Sequence, residues 1–193
     1  IAAGTGTSSD GKAYTGDTVT LSGTAAGAFN DKDVADANRV SFSGLGLAGT
    51  ESGNYTLTAH ADDATARITP KALTVSGLSS ADKVYDATTS ATVTGTAALQ
   101  SAIAAGTGTS SDGKAYTGDT VALTGTAAAA FNSQDVATAD HVSFSGLSLT
   151  NAAGNYTLTA HADDTTARIT PKTLTASATA PDKVYDGSTT AAP

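Results

Sequence analysis

Few side chains in this sequence have chemistry to offer. Three histidines, His60, His141 and His161, share the chain with 18 acidic residues and no cysteine. His60 opens the stretch "HADD" with Asp62 and Asp63, and His161 opens the same stretch with Asp163 and Asp164. An imidazole beside a carboxylate can act as a general base oriented by the acid. Such a site also needs a nucleophile or a metal, and neither a thiol nor a G-x-S-x-G elbow is present. His141 opens "HVSFSGL", whose counterpart "RVSFSGL" has Arg39, so that position reads as solvent-facing surface. Oxygen-rich "NDKD" from Asn30 to Asp33 would attract calcium, but its counterpart "NSQD" from Asn132 to Asp135 has lost a carboxylate. Calcium takes about 6 to 8 oxygens, more than these turns or the "ADD" pairs offer. The expectation is no catalytic residue, no metal site and no cofactor, with ligand-binding residues left unassigned. Asn54 and Asn155 each open "NYT", the acceptor pattern for N-glycosylation, although Tyr in strand phase explains the triplet equally well. "GTGTSS" from Gly4 lacks the third glycine and the following helix of a phosphate cradle.

Elements that would position such residues come in copies. "IAAGTGTSSDGKAYTGDTV" from Ile1 returns almost unchanged from Ile103, and "ITPKALTVSGLSSADKVYD" from Ile68 returns as "ITPKTLTASATAPDKVYD" from Ile169. A period of about 100 residues is too long for a solenoid coil and suits one small domain with its own core. All six tyrosines pair across the copies, Tyr14 with Tyr116, Tyr55 with Tyr156 and Tyr85 with Tyr185; so do Phe29 with Phe131 and Phe42 with Phe144. Large residues spent at matching positions are expected in cores or module junctions. The seam places the frame at 1–71 for an incomplete first repeat without its opening strand, 72–172 for a complete repeat and 173–193 for the start of a third. A permuted frame starting at Ile1 and about Ile103 leaves the second copy without a counterpart of "ATVTGT". In the first frame the chain reads as an excerpt of a longer array.

Composition narrows the class. Hydrophobic residues make up 39% and charged residues only 15%, with Thr, Ser, Ala and Gly filling the remainder, so large core residues are scarce. A net charge of −8 argues against nucleic acid and against attraction to anionic lipid. No apolar run reaches the length of a membrane helix, so no membrane insertion is expected from this segment.

Alternation with period two recurs outside the glycine-rich stretches. Val19 with Leu21, Val40 with Phe42, Tyr55 with Leu57, Ile68, and Leu73 with Val75 each put apolar groups on one face and Thr or Ser on the other. The predicted fold is all-β and mostly antiparallel, in tandem elongated modules, either an Ig-like sandwich or β-grasp-like with at most a short helix. That helix is expected in "AALQSAIAAG" from Ala97 to Gly106, where Leu99 and Ile103 stand at i and i+4. Pro70 and Pro171 are expected to mark where a module's last strand ends.

Taken in order, "KVYDATTSATVTGT" from Lys83, "GDTVALTGTAAAAF" ending at Phe131, "VSFSGLSLTNAAGNYTL" ending at Leu158 and "ARITPK" ending at Lys172 resemble the YDG repeat of bacterial surface adhesins. Tyr185, Asp186 and Gly187 keep the naming triplet, while the first seam has Ala87 in place of the glycine. The resemblance covers essentially the whole chain. It implies a very large secreted protein similar to the filamentous-haemagglutinin-type, two-partner-secreted adhesins, at a bacterial surface or in biofilm matrix. Such repeats bring no catalytic residues. The function expected is a stalk or spacer extending an adhesive region; the alternative is that the repeats themselves bind matrix polysaccharide or self-associate. Expected partners are the neighbouring repeats of the same chain, with matrix polysaccharide or host-surface glycan reached through other regions.

Overall fold

The computed structural model describes residues 1–150 and 153–191, and its regular structure is almost wholly strand. The strands are β1 Thr20–Phe29, β2 Val40–Ala48, β3 Lys71–Ser80, β4 Lys83–Val84, β5 Ser90–Ala91, β6 Val93–Ile103, β7 Lys114–Tyr116, β8 Ala122–Phe131, β9 Val142–Thr150, β10 Tyr156–Thr159 and β11 Ile169–Thr170. The all-β expectation holds, and three of the pairings with a described register are antiparallel. Among the described residues the only helical element is a single 3-10 turn, Ser52–Asn54, and no helix is long and apolar enough to cross a membrane.

Two compact units form, and each draws on both copies. The first comprises Ile1–Leu73, Ser101–Ala122 and Leu149–Leu158. Its long hairpin pairs β1 with β2, from Thr20 opposite Ala48 to Phe29 opposite Val40. Here β10 lies beside the start of β3, and β7 beside the end of β6. Buried in this unit are Ala37, Leu73, Ala115 and Tyr156. The second unit comprises Thr74–Gln100, Leu123–Ser148 and Thr159–Pro193. In it β3 pairs antiparallel with β6, Val75 opposite Leu99, and β5 pairs with β8. The short β11 runs parallel to β4, with Ile169 opposite Lys83. Its buried side chains are Val75, Leu78, Phe131, Ala139, Val142, Phe144, Ala167 and Ile169.

The β3–β6 ladder slips between Ser76 and Leu78. Gly77 and Gly95 both take positive φ there, and a Cβ built on Gly77 would run into the carbonyl oxygen of Thr96. Two backbones this close admit only glycine, and the bulge that results adds local twist.

The helix expected from Ala97 to Gly106 is absent: Ala97–Ile103 completes β6. Its alanines favour helix in isolation, but β3 offers a backbone ladder, and satisfying that ladder outweighs a propensity of a few tenths of a kcal/mol per residue. Tyr55–Leu57 and Ile68 are also not strands, whereas their counterparts lie in β10 and β11. Strand alternation needs a neighbouring strand: β10 has β3 and β11 has β4. Pro171 does follow the end of β11, but Pro70 stands immediately before β3, so that proline marks a beginning. Not every tyrosine is a core residue. Tyr156 is buried, Tyr14 is exposed, and Tyr185 is almost wholly in solvent.

Candidate functional site

Pro70 has no N–H, so the ladder can begin only at Lys71, whose N–H donates to the Asn155 carbonyl at 2.9 Å. The side chain of Lys71 is tucked in, with 10% of its surface exposed. Its Nζ lies 2.8 Å from Asp112 Oδ1 and 4.2 Å from the centroid of the Tyr116 ring. Burial opposes the ammonium charge, but Asp112 and the tyrosine outweigh it and the Lys71 pKa is raised. Lys71, with the N–H groups of Lys114 and Thr109, holds Asp112 at about 2.

Asn155 ties a second point of the same unit. Its Oδ1 accepts the Val34 N–H at 2.8 Å, and its Nδ2 donates to Asp33 Oδ1 at 2.8 Å. Lys32, 2.7 Å away, and then Asn155 lower the Asp33 pKa. Next to it, the Tyr156 hydroxyl accepts the Tyr116 N–H at 2.9 Å and donates to Asp119 at 2.6 Å. Burial and the Asp119 carboxylate push the Tyr156 phenol up to about 12. Copy one reproduces this lock: Tyr55 accepts from Tyr14 N–H at 2.9 Å and donates to Asp17 at 2.5 Å. All these groups belong to the first unit. The arrangement can hold a following copy against a preceding one; every polar group in it is committed to another part of the chain.

The residues weighed for catalysis or metal serve the backbone. Asp63 accepts from Thr65 N–H and Oγ1, and Asp164 accepts from Thr166 in the same way and from Ser80 N–H at 2.8 Å. Thr166 first, then Ser80, hold Asp164 at about 2. Asp62 pairs with Arg39 at 3.2 Å. His60 and His161 stand edge-on to Phe42 and Phe144, each 5.0 Å between ring centroids. His161 Nε2 accepts the Leu78 N–H at 3.3 Å, which leaves the ring proton on Nδ1, donated to Ala162 O. Both nitrogens are therefore occupied. His141 meets Asp140 at 2.6 Å and Asp163 at 3.8 Å. In "NDKD", Asn30 Oδ1 accepts from Asn38 and Arg39 N–H, and Asp31 from Asp33 N–H. Among the described residues no group of three or more His, Cys, Asp or Glu could hold a metal ion. Asn54 has an exposed side chain, whereas the Asn155 amide is consumed at the seam.

Sequence reasoning did not single out Lys71, Asp112 and Asn155 as a set. Their signal was present in the repeated "TPK" and "GNYT" phrases, but which copy each would meet is a tertiary fact.

Compared with known proteins, the chain matches the YDG domain over residues 1–65 and 69–167. No curated protein matches it, and no solved structure does.

Proposed function

Because the chain belongs to the YDG domain family, its matched residues spanning well over half its length, we propose that it serves as structural spacer repeats of a large secreted bacterial adhesin. In this reading the repeats are extracellular and belong to a two-partner-secreted protein of the filamentous-haemagglutinin kind. They extend an adhesive region from the cell surface in adhesion or biofilm formation. The task is mechanical and requires no turnover.

The observation that supports it most directly is the seam in the first unit. Where a flexible tether would have a polar, solvated linker, this chain has Lys71 ion-paired and stacked, and Asn155 bonded to both Asp33 and Val34. Pro70 restricts the backbone at the same place. A joint of this kind resists bending.

Solution scattering tests the reading, on this chain beside one lengthened by a further copy. A maximum dimension that increases by one module length, equal with calcium and with chelator, is the expected result. An unchanged dimension would overturn the spacer role, and lengthening only with calcium would return the acidic turns to consideration as metal sites.

A further inference from the structure

The second unit carries an open counterpart of the seam. Tyr85, Val136, Pro171, Lys172 and Leu174 line an apolar groove of about 340 Å³. Four of the five repeat the seam of the first unit: Val136 corresponds to Val34, Pro171 to Pro70, Lys172 to Lys71 and Leu174 to Leu73. There, Leu73 is wholly buried and Lys71 is ion-paired; here, Leu174 is 86% exposed. Residues 172–191 remain outside any strand, although 71–80 form β3. The turn after them is nevertheless made, since Lys183 Nζ reaches Asp186 at 2.9 Å as Lys83 reaches Asp86 at 2.7 Å.

What fills the first seam is known: Asp112, Tyr116 and Asn155. The chain presents the same trio once more, as Asp10, Tyr14 and Asn54, and it is already shaped. Asp10 accepts from Thr7 N–H at 3.3 Å and Lys12 N–H at 3.0 Å, as Asp112 accepts from Thr109 at 3.1 Å and Lys114 at 2.9 Å. Tyr14 is held by the Tyr55 lock and is 40% exposed.

We propose that the groove of Tyr85, Val136, Pro171, Lys172 and Leu174 is a docking site for the Asp10–Tyr14–Asn54 face of a second copy of this chain. Lys172 meets Asp10 and the Tyr14 ring, Leu174 loses its exposure, and Asn54 ties the 133–136 loop. The two faces differ, so the contact is head-to-tail and leaves one groove and one trio free at the ends, which makes open chains. This surface stands apart from the spacer role, because it requires only that two such faces meet.

Sedimentation of the whole chain over a concentration series tests it, with Leu174→Asp on the groove side and Tyr14→Ala on the trio side. Both side chains are exposed, so the fold survives each change. The expected result is mass that rises with concentration, and an association constant about 30-fold lower or more in each variant. An equimolar mixture of the two variants retains one good groove and one good trio, so it recovers pairs but stops there. A chain that stays monomeric to about 1 mM would overturn the proposal. So would association that Leu174→Asp leaves intact, or a mixture that fails to pair; none of these touches the scattering test.

Discussion

Phe29 and Phe131 occupy the same position in the two copies, yet Phe29 is 39% exposed and Phe131 is 3% exposed. What covers Phe131 in the second unit is the stretch that opens its repeat. Phe131 N–H donates to Thr89 O at 2.8 Å, β5 pairs alongside, and Lys83 Nζ stands 6.0 Å from the ring centroid. Phe42 and Phe144 differ in the same direction.

Truncating the two phenylalanines separates these environments. Phe131→Ala removes a buried ring and is expected to cost about 3 to 5 kcal/mol, whereas Phe29→Ala costs about 1 kcal/mol or less. Denaturant unfolding of each variant checks it; equal losses would contradict the difference in burial.

Ala87 holds a φ of 63°, the left-handed region, where its counterpart Gly187 has 76°. A Cβ in that region costs roughly 1 to 2 kcal/mol. Ala87→Gly is therefore expected to stabilise the chain by about 1 kcal/mol after the entropy of the added glycine. Gly187→Ala, in the unpaired 172–191 stretch, should leave the melting temperature unchanged.

Gly77 faces the Thr96 carbonyl across the β3–β6 bulge. Gly77→Ala adds both positive-φ strain and a backbone collision, and a loss of more than about 2 kcal/mol is expected in equilibrium unfolding. Gly53→Ala, with open space around it, is the control and should be near neutral.

Stability should fall at both ends of the pH scale. Asp86, Asp112 and Asp164 have folded pKa values lowered to about 2, Asp86 chiefly by Lys83. Their contribution is complete above the unfolded value of about 4 and disappears as pH falls towards 2. Tyr156, raised to about 12, contributes fully below the unfolded value of about 10 and is lost as pH rises through 12. Melting temperatures across pH 2 to 12 would show the two limbs. In Asp112→Asn the deficit against the parent chain should shrink as pH drops towards 2, and in Tyr156→Phe it should shrink as pH rises past 12.

Much of the strand pattern was readable one residue at a time. Val40 with Phe42 and Leu73 with Val75 alternate because one face of a half-buried strand is apolar, and they lie in β2 and β3. Ala97–Ile103 was not readable in this way, since its local preference is helical and only β3 makes it a strand. The histidines show the same limit: His161 looked like a possible base beside acids, but Leu78 N–H and Ala162 O take up both ring nitrogens.

By itself the sequence determined the all-β class, the period and the family, because alternation, turn residues and repeated phrases are local and survive in a linear reading. Only the tertiary structure decided which copy each phrase completes. Leu73 and Leu174 have the same neighbours in sequence, yet one is wholly buried and the other lies in solvent. Burial depends on what packs opposite, and for Leu73 that lies far along the chain.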